Sequence, residues 1–173
     1  MAAKKEYGVV IIKPDSVRDG LEGSIVQDLV NAGVVTVWGK YWTIKPEMVP
    51  VIYPKEVTKI TYSSTLKAIT SGPLFILIVK SPNVYEFLAK TKGKMDKGGI
   101  RHKYCWKSKQ ELINEGYAGQ ELQDKLAENR LHTSDTIEET LAVLSICLST
   151  RETEELRDLA PDLYEKLRDH QTE

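Results

Sequence analysis

The sequence contains only two cysteines, Cys105 and Cys147, and this scarcity excludes two classes of protein. Two cysteines are too few to build the framework of a disulfide-rich domain. They also show neither the CxxC nor the Cys/His spacing that a structural zinc site requires. A reducing cytoplasm is therefore the simplest setting for this chain.

Long apolar runs and an excess of one charge are also missing. No segment approaches the roughly 20 apolar residues that cross a bilayer, and the start of the chain is polar and charged. Lysine and arginine (24) nearly balance aspartate and glutamate (25), which disfavours a protein that coats nucleic acid or acidic membranes. We expect a soluble, unprocessed chain forming a single domain over residues 1–173.

The first half of the chain alternates strand-like and helix-like patterns. A β-branched run at residues 7–13, stopped by Pro14, predicts a strand buried on both faces with Lys13 at its end. Further strands are predicted at 34–44 and 74–79, and helices at 23–32, 46–53, 62–69 and 83–90. This order predicts an α+β fold, a ferredoxin-like sandwich whose antiparallel sheet is covered by helices. The pattern leaves the order of the strands open.

The second half begins with a basic, glycine-containing segment at residues 90–109 that predicts a flexible loop. This loop is either a solvated surface or a phosphate-binding arm. Two short amphipathic helices are predicted between 111 and 129, separated near 116–119. A buried helix follows at 137–148, capped by Ser134 or Asp135, and two polar helices divided at Pro161 complete the chain.

The first pattern with candidate chemistry is Ile11-Ile12-Lys13-Pro14-Asp15-Ser16-Val17, followed by Gly20 and Gly23. The strand delivers Lys13 to its open end, and proline fixes the direction in which the chain leaves. A lysine at this position is well placed to bind phosphate. The alternative is a surface lysine whose aliphatic part covers apolar neighbours.

The second pattern is Asn129-Arg130-Leu131-His132-Thr133-Ser134-Asp135, which places a histidine just before a predicted helix. The positive end of a helix dipole disfavours imidazolium, so His132 is expected to be neutral and nucleophilic. Neutral imidazole can attack phosphorus. The alternative is an ordinary surface histidine that happens to precede a cap.

Together these segments resemble nucleoside diphosphate kinases. The resemblance rests on the Lys13 motif, Tyr53, Ser71-Gly72-Pro73, Ile100-Arg101 and the His132 motif, which follow one another in the family's order. The interval from Tyr53 to Ser71-Gly72-Pro73 is also the family's. Most of the chain is covered, apart from an insertion at about 104–128 and extended C-terminal helices at about 151–170.

The resemblance implies a ping-pong transfer of the γ-phosphoryl group of a nucleoside triphosphate to a nucleoside diphosphate through phosphohistidine at His132. It implies that Lys13 contacts phosphate and the sugar hydroxyl, Tyr53 supports the transferring group, and Asn129 binds the ribose. Phosphates would be held by Arg101 and Thr91, with Ser134 beside the histidine. Mg²⁺ would arrive on the nucleotide, and no residue is expected to be a dedicated metal ligand.

Several positions depart from the family's pattern. The base-stacking phenylalanine aligns with Thr61, which leaves Tyr62 as the substitute ring. The first phosphate arginine aligns with Tyr85 or Ala89, so Lys90 or Lys92 would have to replace it, as a point charge without a bidentate fork.

The glutamate that orients the family's histidine aligns with Val143, which cannot accept a hydrogen bond. The sequence therefore also permits a catalytically weak, nucleotide-binding or regulatory homologue. A nucleic-acid-binding module, suggested only by the lysines of 90–109, is a third reading that the balanced net charge disfavours. The resemblance further implies a homo-oligomer of at least two copies.

Overall fold

The computed structural model describes residues 5–105 and 107–172, so the ends of the domain predicted for 1–173 lie outside the described residues. A four-stranded antiparallel sheet forms its centre, in the order β2-β3-β1-β4. The strands are β1 (Lys5–Ile12), β2 (Val35–Trp42), β3 (Leu74–Pro82) and β4 (Leu131–Thr133).

Eleven helices of the described segments surround this sheet. They are α1 (Pro14–Arg18), α2 (Glu22–Asn31), α3 (Val49–Ile52), α4 (Tyr62–Ile69), α5 (Val84–Lys92), α6 (Gly99–Tyr104), α7 (Lys109–Asn114), α8 (Gly119–Ala127), α9 (Ile137–Cys147), α10 (Thr150–Leu159) and α11 (Pro161–Thr172). A single 3₁₀ turn at Pro46–Met48 precedes α3. Within these described segments, no helix is both long and apolar enough to span a membrane.

The central strands β1 and β3 are apolar on both faces because each face lies under a separate layer of helices. Val9 and Ile11 point into a core that includes residues of α3, α9, α10 and α11. Val10 and Ile12 point into a second core with α2, α5 and α6. This alternation confirms the strand buried on both faces and the helix-covered, ferredoxin-like sheet predicted from sequence.

Three local predictions are wrong. Residues 99–104, predicted as part of a flexible loop, form α6. His132, predicted to lie immediately before a helix, lies in β4, a strand too short for its pattern to be recognised. The cap of α9 is Thr136, whose side chain accepts a hydrogen bond from the Glu139 amide, rather than Ser134 or Asp135.

The segment between Arg101 and Asn129 forms the two predicted short helices. α7 begins with a capping box, in which Ser108 and Glu111 satisfy each other's backbone amides. α8 packs against α4, and Asp124 joins them by accepting hydrogen bonds from Ser64 (2.8 Å) and Lys67 (2.5 Å). The segment between Arg101 and Asn129 therefore covers α4 instead of extending into solvent.

The two predicted C-terminal helices, α10 and α11, fold back onto the same chain. Leu156, Leu163 and Leu167 are fully buried in the core that contains Ile11. Both cysteines are buried, free thiols.

Candidate active site

His132 is held at the edge of the sheet by a short ladder with β1. It pairs with Ile11, and the Ser134 amide extends the ladder by donating to the Val9 carbonyl at 3.0 Å. The neighbours Leu131 and Thr133 point into the protein and are buried, whereas His132 is half-buried. Strand alternation therefore directs the imidazole to the face of the strand opposite to that of its two neighbours.

Ser134 fixes the end of this strand. Its hydroxyl oxygen accepts hydrogen bonds from the Val9 amide (3.0 Å) and from the Thr140 hydroxyl (2.8 Å). Ser134 is itself buried, so these bonds tie the chain just after His132 to both β1 and α9. Its contribution to the site is to fix the backbone beside the imidazole.

Lys13 leaves the end of β1 and is buried, with 3% of its surface exposed. Its ammonium donates to the Ala127 carbonyl at the end of α8 and to Asn129 Oδ1, the latter at 3.1 Å. Asn129 Nδ2 in turn donates to the Leu126 carbonyl at 3.2 Å. The strand lysine and the asparagine are thus held by the same turn, at the end of α8.

Tyr53 and Arg101 complete the surroundings of the imidazole. The rings of Tyr53 and His132 lie with centroids 4.5 Å apart, tilted by 52°. One guanidinium nitrogen of Arg101 donates to the Leu131 carbonyl at 2.8 Å. The Tyr53 hydroxyl and the Arg101 Nε are buried, yet neither has a hydrogen-bond partner among the described residues. Buried donors without partners are uncommon, and here they point to a ligand that accepts hydrogen bonds.

A cavity of about 290 Å³ brings these groups together; its described lining is Lys13, Tyr53, Glu56, Thr65, Lys92, Arg101, Ala127, Asn129, His132 and Asp135. Five of the predicted site residues line this cavity: Lys13, Tyr53, Arg101, Asn129 and His132. Tyr62 instead packs against the core that contains Ile11, and Thr91 is not among the described lining residues.

Lys92 occupies the cationic position for which the sequence left two candidates. Its ammonium donates to Thr133 Oγ1 at 2.9 Å, next to His132, whereas Lys90 is exposed and outside the cavity lining. The sequence could have distinguished Lys92 from Lys90, because residues two apart on a helix such as α5 point in different directions. Glu56, Thr65 and Asp135 also line the cavity. No motif marked Glu56 or Thr65, and Asp135 belongs to the His132 motif but was predicted only as a helix cap.

The electrostatics of the cavity keep the imidazole neutral. Burial, reinforced by the charges of Lys92, Lys13 and Arg101, lowers the pKa of His132 to about 3. Burial likewise lowers the pKa of Lys13 to about 8 and moves those of Lys92 and Arg101 below their ordinary values. The predicted neutral state therefore has a different cause: burial and cations, not a helix dipole.

The cavity is suited to an anion. Three cationic side chains, one of them with an unpartnered Nε, and the unpartnered Tyr53 hydroxyl converge near one neutral imidazole. Its two carboxylates already face cations, since Glu56 pairs with Lys59 at 2.5 Å and Asp135 lies 3.9 Å from Lys55. No group of three or more potential metal-ligating side chains occurs in the described part of the chain.

Val143 offers the imidazole no hydrogen-bond acceptor. It is 2% exposed and lies in the apolar core formed with β1, β3 and the C-terminal helices. The nearby acidic residue Glu139 accepts from the Asp135 amide at 2.8 Å. The carboxylate that α9 offers near the site therefore orients the turn after His132.

A family model described as nucleoside diphosphate kinase matches residues 6–153 of the chain. The nucleoside diphosphate kinase of Thermomicrobium roseum is 34% identical over 91 residues, covering 53% of this chain and 61% of that protein. That match thus spans less than two thirds of the relative's length.

Two solved structures have similar folds. The nucleoside-diphosphate kinase of Borrelia burgdorferi, a transition-state mimic with vanadate and ADP, has a TM-score of 0.68 and 22% identity, covering 86% of this chain and 89% of that one. The enzyme of Halobacterium salinarum with CDP has a TM-score of 0.65 and 25% identity, covering 86% and 91%. The C-terminal helix α11 lies beyond the part that the family model matches.

Proposed function

Because this chain belongs to the nucleoside diphosphate kinase family, we propose that it transfers the γ-phosphoryl group of a nucleoside triphosphate to a nucleoside diphosphate through His132. The observation that carries this proposal is a neutral imidazole surrounded by Lys13, Lys92 and Arg101. A neutral ring has a free electron pair for attack, and the cations offset the charge of the phosphates.

In the first half-reaction, a ring nitrogen of His132 forms a bond to the γ-phosphorus while the bond from phosphorus to the bridging oxygen breaks. The electron pair of that bond leaves on the nucleoside diphosphate. In the second half-reaction, a terminal oxygen of another diphosphate attacks the phosphohistidine, and the N–P electron pair returns to the imidazole. Only the phosphoryl group is retained between the steps, so the reaction is ping-pong.

The remaining residues bind and orient the nucleotide. Lys13, Lys92 and Arg101 would neutralise phosphate charge, and Tyr53 would donate its unpartnered hydroxyl to the transferring group. Asn129, placed beside Lys13, would bind the ribose. Tyr62 would stack on the base and Thr91 would bind phosphate, as the family resemblance implies, only if both side chains move towards the cavity when the nucleotide binds.

Mg²⁺ would enter bound to the nucleotide phosphates. The cavity fits this arrangement because its donor set is mainly cationic and its two carboxylates face lysines. Mg²⁺ keeps most of its water and is commonly held through substrate phosphates. When bound, the ion would neutralise phosphate charge that the three side chains do not reach.

Incubation with γ-³²P-labelled ATP tests this function. We expect label on the protein that is stable in base and lost in acid, and that is transferred to added nucleoside diphosphate. His132→Ala should abolish labelling, because no other side chain offers the same covalent route, while nucleotide affinity changes little. His102→Ala and His170→Ala are matched controls that should label normally, since both residues lie outside the cavity lining.

A catalytically weak, nucleotide-binding homologue is the second candidate, favoured by the burial of Val143 in an apolar core. It predicts nucleotide binding without labelled His132, so the same experiment separates the two. Nucleic-acid binding has less support, because the basic segment directs Lys92 and Arg101 into the cavity and pairs Lys103 with Asp28.

We further propose a single domain over 1–173, an insertion at about 104–128 and C-terminal helices added to the family's fold. We propose a cytoplasmic location, in which the two buried thiols would stay reduced. We also expect a homo-oligomer built from dimers, formed through the free edge of β2.

A further inference from the structure

Arg130 separates the proposed ribose ligand Asn129 from the strand that carries His132, and its backbone is unusual. Its φ is +75°, in the left-handed region that residues with a side chain seldom adopt, and the residue is 6% exposed. A residue persists in such a conformation when the surrounding structure determines it. The contacts of Arg130 therefore indicate what holds the turn before His132.

The peptide groups of Arg130 bind the junction between β1 and α1. Its amide donates to Asp15 Oδ2 at 3.0 Å. Its carbonyl accepts from the Lys13 amide at 2.8 Å and from the Ser16 hydroxyl at 3.0 Å. The backbone of the proposed phosphate lysine is thus held by the residue that precedes the histidine strand.

The guanidinium of Arg130 reaches two further elements. One terminal nitrogen donates to Asp19 Oδ2, just beyond α1, at 2.6 Å. The same nitrogen donates to the Asp15 carbonyl, within α1, at 3.3 Å. Its Nε donates to the Tyr104 carbonyl at 2.8 Å, in the last turn of α6, the helix that carries Arg101. These donors occupy fixed positions around one planar group, which a lysine ammonium cannot reproduce.

We propose that Arg130 is a positioning residue for phosphoryl transfer, which sets Lys13, Arg101 and His132 relative to one another without touching the nucleotide. It is absent from the described lining of the catalytic cavity and lines a neighbouring one with Asp15 and Asp19. Small misplacements of reacting groups lower the rate more than they lower binding. This inference rests on the proposed function.

The test compares the full-length parent with Arg130→Gly and Arg130→Lys. Glycine accepts the positive φ without strain, so Arg130→Gly removes the guanidinium while sparing the turn. We expect the single-turnover rate of His132 labelling to fall by about 10- to 100-fold in both variants, with nucleotide dissociation constants changed less than about threefold. Low-millimolar guanidinium should restore part of the rate of Arg130→Gly, whereas matched sodium chloride should not.

Arg151→Lys is the matched control, since Arg151 is exposed on α10 and pairs with Glu155 of the same helix. Its labelling rate should equal the parent's. Parental labelling by folded Arg130→Gly or Arg130→Lys, or a loss of thermal stability without a loss of rate per folded molecule, would overturn the role of Arg130 alone. A parent that binds nucleotide but never labels would instead overturn the proposed function, and this role with it.

Discussion

At the scale of single residues, charge in the cavity depends on burial. Lys13 has a pKa of about 8, lowered mainly by burial, so its ammonium loses a proton as pH rises through that value. The neutral amine no longer attracts phosphate, and affinity for nucleotide should fall with rising pH. His132, with a pKa of about 3, stays neutral throughout the same range.

We therefore predict that nucleotide affinity weakens about tenfold between about pH 7 and pH 9, as the protonated fraction of Lys13 declines. Lys13→Met should bind more weakly at neutral pH and lose this pH dependence. Isothermal titration calorimetry across the pH range measures both. An affinity of the parent protein that stays flat to pH 9 would contradict the role of Lys13.

Val143 gives a second prediction at this scale. The resemblance aligns Val143 with the glutamate that orients the family's histidine, yet the Val143 side chain lies in a buried apolar core. Val143→Glu should lower the free energy of unfolding by about 3 kcal/mol, because burying a carboxyl group without a partner is costly.

The pH dependence distinguishes charge from size in this variant. A buried carboxyl group has a raised pKa in the folded state, so Val143→Glu should regain stability as pH falls and the group becomes neutral. Val143→Gln, of similar volume, should be destabilised without that pH dependence. Urea denaturation at about pH 5 and pH 8 measures the difference; a Val143→Glu protein as stable as the parent would show that the side chain escapes the core.

At the scale of helices and strands, α8 connects α4 to the site. Asp124 fastens α8 to α4, while the end of the same helix provides the Ala127 carbonyl that holds Lys13. Loosening one end of a short helix should therefore disturb the other. Lys13 and α4 are therefore coupled through α8, which is at most three helical turns long.

Asp124→Ala should accelerate hydrogen exchange in α8 about fivefold and raise the KM for nucleotide by a similar factor, because the substitution removes the hydrogen bonds that join α8 to Ser64 and Lys67 of α4. Glu121→Ala, at an exposed position of the same helix, is the matched control and should behave as the parent. Exchange measured by mass spectrometry tests the first effect and steady-state kinetics the second. A KM that is unchanged despite faster exchange would show that α8 is not coupled to the nucleotide site.

The elements that were predicted from the sequence each have a clear local signal. β1 and β3 are continuous apolar runs, and α4, α8 and α11 are bounded by turn residues or Pro161. β4 was missed because three residues carry no recognisable alternation, and its pairing with β1 is a tertiary contact. α6 was missed because its composition is basic and it begins at Gly99.

The same distinction applies to the site. The residues in two strong motifs, Lys13, Asn129 and His132, came together in the cavity. Lys92 could be named only as one of two lysines, because its selection depends on the end of α5 and the fold around it. Arg130 belongs to the His132 motif, but nothing in the sequence indicated a role for it, because its partners in α1, just after α1 and in α6 are distant in sequence.

At the scale of the whole molecule, β2 is an edge strand with an apolar surface beside it. Val35 and Tyr41 are 51% and 55% exposed, and a groove between β2 and α2 is lined by apolar groups such as Val26 and Phe75. An exposed edge strand offers unpaired backbone groups to another chain. A second copy could pair with it about a two-fold axis.

We predict that the parent forms a dimer or a larger multiple of two, and that Val35→Lys raises its dissociation constant at least about tenfold, because each copy then places a charge in the apolar contact between the two edge strands. Leu159→Lys, at a residue 54% exposed on α10, is the control and should leave the mass unchanged. Sedimentation velocity over a concentration series measures both. Either a monomeric parent or an unaffected Val35→Lys protein would contradict this interface.

The pairing of β1 with β4 has a consequence for how the protein folds during its synthesis. Val9 and Ser134 are bonded across 125 positions of the chain, and the histidine strand has no other strand beside it in the described sheet. Contacts of such long sequence separation form late and slow folding, because a large loop must close first. The proposed nucleophile His132 therefore comes beside the end of β1, where the proposed phosphate lysine lies, only after the whole chain between β1 and β4 has been synthesised.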